Sequence, residues 1–236
     1  MKWNVVHIDE TDSTNRWLRE CAPTDENLVV VADYQTAGRG CGTNTWESER
    51  GQNLTFSLLL HPTDVPAPRQ FFISEVISVA LCQTLDSYLG GNVSVKWPND
   101  VYYGDRKLCG MLIENRLQGG LMKDSIVGIG LNVNQQRFLS DAPNPVSLRQ
   151  LLGRAVDRDQ LLTVFLDAVS ATWTSDTVST DYRSRLYRRE GFHTYSDADG
   201  CFQACLTGVL PDGRLVLTDA DGRERRYAFK QVQYVL

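Results

Sequence analysis

Lys96-Trp97-Pro98-Asn99-Asp100 is followed closely by Lys107-Leu108-Cys109-Gly110, so two ammonium groups and a carboxylate fall within one short stretch. A lysine held beside a carboxylate and aimed at a phosphate or acyl oxygen can stabilise the charge that builds when a carboxylate attacks a nucleotide α-phosphate. A surface ion pair at a solvated turn uses the same residue types, and taken alone the stretch fits that account first. Gly38-Arg39-Gly40 brings a second element, because glycines let backbone amides approach a ligand and a guanidinium offers a planar fork for phosphate or carboxylate. Short glycine motifs are more often plain turns. In the third element, Gly128-Ile129-Gly130-Leu131-Asn132-Val133-Asn134, small residues and carboxamides alternate along a strand, against which a planar base or a packed helix could lie.

The surrounding patterning predicts what holds these residues. After the loosely alternating residues 3–9, Ser13 or Thr14 suits the N-cap of a short helix carrying Trp17 and Leu18. Leu28–Ala32 reads as an aliphatic strand feeding the glycine loop, and Asn53–Leu60 as the next strand. Over residues 69–89, Ile73, Val76, Ile77, Ala80, Leu81, Leu85 and Leu89 recur at helical spacing, and Gly90-Gly91 ends the run. Val93 and Val95 lead into Lys96, residues 108–114 form another strand, and Gly119-Gly120 turns the chain into 126–133, which makes a hairpin. Asp157 with Gln160 predicts a capping box for a helix through Trp173. From Gly191 onward, short β-like runs are punctuated by Asp199-Gly200, Pro211-Asp212-Gly213 and Asp221-Gly222. The expectation is an α/β (α+β) domain over residues 1–186 and a small β-barrel over 187–236, joined near Tyr187.

Composition narrows the class. A length of 236 residues suits one main domain with an appendage, and a net charge of −5 gives no general attraction to nucleic acid or an anionic membrane. The six cysteines contain no CxxC pair, the opening residues lack an apolar signal core, and no run reaches membrane-spanning length. Reduced thiols and a soluble, cytoplasmic protein are expected. Cys201 and Cys205 would share one face of a strand, read as a pair of core thiols rather than a metal site, since His7, His61 and His193 are scattered.

In order and spacing the three elements resemble the biotin-protein ligase family, from Ser13 to the closing Phe229-Lys230-Gln231-Val232-Gln233-Tyr234-Val235. The resemblance implies a class II aminoacyl-tRNA synthetase-like mixed sheet with flanking helices and a C-terminal SH3-like barrel. It implies an ATP-dependent enzyme that forms biotinyl-5′-AMP with Mg²⁺ and passes biotin to a lysine of a biotin carboxyl carrier domain, as monomer or homodimer. Ser13, Thr14, Asn15 and Gln35 correspond to biotin-pocket polar groups, Arg39, Gly40 and Cys41 to the loop that closes over biotin and the adenylate, and Gly110 to the biotin site. Lys107 corresponds to the lysine at the biotin carboxylate and α-phosphate. Lys96, Asn99 and Asp100 share its surface, with Asp100 a weaker candidate for Mg²⁺. Gly128, Gly130 and Asn132 correspond to the strand beneath the adenylate, and Trp46 anchors the far end of the loop.

Where the family commonly writes GRGRxGRxW, this chain reads GRGCGTNTW, so Cys41 and Asn44 replace two arginines. Each lost charge-assisted hydrogen bond is worth about 1.5–3 kcal/mol, and Arg39, Arg50 or Mg²⁺ is the expected compensation. Rival readings are a lipoate-protein ligase, a ligand-binding module without catalysis, and a DNA-binding repressor. The last is disfavoured by the negative charge and by the few residues ahead of Ser13.

Overall fold

The computed structural model describes residues 1–21, 24–140 and 144–235. The chain runs β1 (Asn4–Thr11), α1 (Thr14–Glu20), β2 (Leu28–Gln35), β3 (Leu54–Leu60) and, after a 3₁₀ turn at Ala67–Arg69, α2 (Phe72–Leu89). Next come β4 (Val93–Lys96), β5 (Asp100–Tyr103), β6 (Arg106–Gln118), β7 (Leu121–Leu131), α3 (Leu148–Leu152), α4 (Arg158–Trp173) and α5 (Val178–Ser184). The last strands are β8 (Phe192–Asp197), β9 (Gly200–Val209), β10 (Leu215–Asp219), β11 (Glu224–Tyr227) and β12 (Gln233–Tyr234).

A seven-stranded mixed sheet has the order β1-β2-β3-β7-β6-β5-β4. Its β1 and β2 are parallel and the other neighbours antiparallel. Side-chain alternation divides this sheet into two unlike faces. Leu54, Phe56, Leu58 and Leu60 of β3 join Val127, Ile129 and Leu131 of β7 in the main core with α2 and α4, where Phe56 meets Phe165 edge-on at 5.6 Å. Complete burial of such side chains contributes about 1.5–3 kcal/mol each. The opposite face carries Ser57, Gly128 and Gly130, and at one end only a small apolar cluster of Leu18, Leu28, Val30, Leu59 and Ile126 under α1. That face is the more polar of the two.

The hairpin at Gly119-Gly120 forms as expected, both glycines taking left-handed φ values of 60° and 82°. Lys96-Trp97-Pro98-Asn99-Asp100 is itself a hairpin turn, with Lys96 paired to Asp100 across β4 and β5.

The second sheet has the order β11-β10-β9-β8-β12. The Trp97 indole donates to the Gly213 carbonyl at 2.8 Å and ties this sheet to the first. Ser13 takes the N-cap position of α1 as expected, although among the described residues its side chain makes no capping hydrogen bond. Two expectations are corrected. At Asp157 only the aspartate bonds the first turn, to Asp159 N and Gln160 N, whereas the reciprocal capping box lies at Ser147 and Gln150. Cys201 and Cys205 do share a face of β9, but it is the outward one: Ala204, Leu206 and Val209 turn inward and Cys201 is exposed. Strand β1 and helices α3 and α5, too short or too irregular in pattern to stand out, complete the layers.

Candidate active site

A cleft of about 1100 Å³ opens on the polar sheet face, and every candidate site residue named from the sequence lines it, from Ser13 and Gln35 through Lys107 to Asn132. Arg50 does not. It pairs with Asp9 at 2.8 Å and with Glu10, and lies over the Tyr34 ring, which corrects the expectation that it supplies the missing loop charge.

One end of the cleft is a network of neutral polar groups. The first turn of α1 presents Thr14 and Asn15, both 3% exposed. Gln35 Oε1 accepts from Thr14 N at 2.8 Å and Thr14 Oγ1 at 3.1 Å. Asn15 Nδ2 donates to Glu114 Oε2 at 2.9 Å and the Leu112 carbonyl at 3.3 Å. Beneath them the Ser57 hydroxyl stands 2.6 Å from both Thr14 Oγ1 and Asn15 Oδ1, with one proton for the two. Gly128 is required here because a Cβ would overlap the Asn15 carboxamide. With the oxygen of Gln35 and the amide nitrogen of Asn15 fixed by protein groups, Ser13, Thr14, Asn15 and Gln35 line the cleft as a rigid set of uncharged side chains, anchored at Asn15 on the Glu114 carboxylate.

The other end is cationic. Lys107 Nζ stands 2.7 Å from Asp100 Oδ1, with 23% and 19% of the two side chains exposed. Lys96 Nζ donates to the Tyr102 hydroxyl at 3.0 Å and lies over the Tyr102 and Tyr234 rings. Burial lowers its affinity for a proton, against the pull of Asp100 and in concert with Lys107 and Arg188. An arriving anion would favour the charged form of this lysine. Asp100 is engaged by Lys107, and among the described residues no group of three or more His, Cys, Asp or Glu side chains could hold a metal ion. The donor set fits a lysine counter-ion, not a protein-built Mg²⁺ cage.

The glycine loop spans these two ends. Gly40 N donates to the Asn44 carbonyl at 2.8 Å and Trp46 N to the Gly38 carbonyl at 2.9 Å, so the loop folds back on itself. Trp46 then lays its indole over paired Gly110 and Gly130, where a Cβ on Gly130 would overlap the ring. Its Nε1 is buried without an acceptor among the described residues, a group that a ligand oxygen or nitrogen could satisfy. Asn99 Nδ2 is already committed to the Met111 carbonyl at 2.7 Å and Cys41 Sγ at 3.0 Å. Asn132 Nδ2 donates to the Val146 carbonyl at 3.2 Å. Arg39 faces Glu114 at 3.5 Å. The Cys41 thiol holds its proton more tightly than usual, chiefly through burial and then Asp100, against Lys107 and Lys230.

Sequence reading missed Ser57, Glu114 and Lys230. Ser57 and Glu114 sit inside strands whose apolar neighbours dominate the pattern. Lys230 comes from the link between β11 and β12, far along the chain from the glycine loop it meets.

Residues 7–132 match the Biotin/lipoate A/B protein ligase family. The chain is 34% identical over 165 residues to the bifunctional ligase/repressor BirA of Bacillus spizizenii, an alignment covering 67% of this chain and 50% of that protein. It therefore spans about half the length of the first curated relatives it matches. Against the biotin-[acetyl-CoA-carboxylase] ligase of Paracoccus denitrificans it is 32% identical over 173 residues, covering 70% of this chain and 71% of the relative. The solved biotin protein ligase from Aquifex aeolicus in complex with biotin and ATP superposes with a TM-score of 0.81 at 25% identity, covering 98% of this chain and 99% of that one.

Proposed function

The chain belongs to the Biotin/lipoate A/B protein ligase family, and from that premise we propose that it activates biotin with ATP and transfers it to a lysine of a biotin carboxyl carrier domain. One observation carries the reading: the Lys107 ammonium, braced by Asp100 at 2.7 Å, shares a single cleft with the neutral network of Thr14, Asn15 and Gln35. A fused ureido ring needs several neutral donors and acceptors, which that network offers. A site built to such groups rejects an analogue lacking them by ~10⁴-fold, and this favours biotin over lipoate.

In the first step a biotin carboxylate oxygen bonds to the α-phosphorus of ATP and the bond to the bridging oxygen breaks, giving biotinyl-5′-AMP and pyrophosphate. Lys107 reduces repulsion between the two anions and steadies charge on the α-phosphate oxygens, with Asp100 fixing its direction and Arg39 assisting from the loop. In the second step a carrier amine bonds to the acyl carbon, AMP leaves with the anhydride oxygen, and the amine loses a proton. The Trp46 indole over Gly110 and Gly130 supports a role in holding the nucleotide and excluding water. Mg²⁺, where bound, would be held chiefly by the ATP phosphates rather than by a protein-built cage and would offset part of their charge. Residues 1–186 act as the catalytic unit and 187–236 as its appendage.

The test is incubation with labelled biotin, Mg-ATP and an acceptor carrier domain, with lipoate competing in a parallel reaction. ATP-dependent label on the acceptor lysine, undiminished by lipoate, is the expected result. Label that follows lipoate instead, or none with either acid, would overturn the assignment.

A further inference from the structure

Lys230 lies between β11 and β12 with φ at 69°, in the left-handed region that a lysine rarely adopts. From there its ammonium reaches across to the glycine loop and packs on Gly42 so closely that a Cβ at Gly42 would overlap it. The side chain thus enters the cleft that also holds Lys96 and Lys107.

The charges around it are unevenly matched. Lys107 is paired with Asp100 and Arg39 faces Glu114, whereas Lys230 forms no ion pair with a carboxylate among the described residues. Its nearest aromatic group is the Phe229 ring, 5.9 Å away. An ammonium with no carboxylate partner among the described residues, held against a loop on a backbone conformation that disfavours it, has a ready explanation if an anion belongs beside it. Of the loop residues that line the cleft, Arg39 is the one cation and it faces Glu114, while Cys41, Thr43, Asn44 and Thr45 carry no positive charge.

We propose that Lys230 is a phosphate-binding residue for the nucleotide, delivered from the second sheet onto Gly42 so that a cation stands where residues 41 and 44 provide none. The proposal rests on the ATP reading above and adds a residue outside the family match at 7–132. Binding of the phosphate chain then ties the loop to the second sheet through one ammonium, so closure of the loop and seating of that sheet are coupled.

The test compares wild type, Lys230→Gly and Lys230→Arg in biotin-dependent ATP–pyrophosphate exchange, alongside calorimetric binding of a non-hydrolysable ATP analogue. Lys230→Gly is expected to raise the KM for ATP and the Kd of the analogue by about ten- to a hundredfold, the range for losing one charge-assisted hydrogen bond. The KM for biotin should not move, Tm should hold or rise because glycine tolerates this φ, and Lys230→Arg should recover ATP affinity. Wild-type ATP affinity in Lys230→Gly overturns the proposal. If wild type catalyses no exchange, the ligase reading falls, and the analogue's affinity still decides the role of Lys230.

Discussion

Lys107 meets Asp100 because β5 and β6 slip in register between Val101 and Tyr102, so that Leu108 is the extra residue. Strict alternation from Cys109 and Met111, both in the core, would send Lys107 into that core as well. The bulge buries Leu108 beside Cys109 instead, and returns Lys107 to the face shared with Gly110. A one-residue irregularity therefore aims the lysine. Lys107→Ala is expected to lower biotin-dependent ATP–pyrophosphate exchange by ~10²–10³-fold, the scale of losing one electrostatic donor in the transition state. Circular dichroism and Tm should stay near wild type, since both charges are partly exposed. Exchange at the wild-type rate would remove Lys107 from the mechanism.

The same bulge shows where sequence reading stops. The two lysines and Asp100 were legible as a cluster, and the glycine strand as a platform, because residue type and order carry them. The 2.7 Å contact was not legible, because a bulge leaves no signature in the alternation of Lys107-Leu108-Cys109. Helix α2 stood out through seven apolar residues at helical spacing. Strand β1 did not, because its exposed and half-buried residues at the sheet edge need no clean alternation. Glycines 128 and 130 were legible as small residues. That they make room for Asn15 and Trp46 depends on long-range packing.

Those two glycines allow the cleft's halves to be separated. Gly128→Ala pushes against the Asn15 carboxamide, and Gly130→Ala against the Trp46 indole. The first variant is expected to raise the KM for biotin with ATP little changed, and the second to raise the KM for ATP with biotin little changed. Overpacking of this kind costs about 1–3 kcal/mol, so each shift should be about five- to a hundredfold. Steady-state kinetics with each substrate varied in turn will read it. Equal shifts of both constants in both variants would contradict the division of the cleft.

Arg50 offers a contrasting case. Its guanidinium is held by Asp9 and Glu10 at the surface, outside the cleft. Arg50→Ala should leave both KM values and the exchange rate unchanged, and exposed pairs of this kind contribute only about 0–1 kcal/mol to stability. A raised KM for ATP in this variant would restore it as a loop-charge substitute.

Cys41 borders the loop at a position open to chemistry, yet burial, followed by the charge of Asp100, raises its pKa above the ordinary 9.0, and Lys107 and Lys230 offset this only in part. The thiol is therefore protonated near neutral pH and is a poor nucleophile. Iodoacetamide at about pH 7.5 should label exposed Cys201 well before Cys41, as peptide mass mapping would show. Stability follows with a definite sign. Above about pH 9 the unfolded chain releases the thiol proton before the folded one does, so unfolding becomes easier as pH rises through that range. Cys41→Ser removes this contribution, and its denaturant midpoint should fall less than that of wild type between neutral and alkaline pH. Bound Mg-ATP brings negative charge toward the same thiol and should slow its alkylation further. Faster labelling of Cys41 than of Cys201, with or without nucleotide, would mean that the thiol is not shielded as the geometry requires.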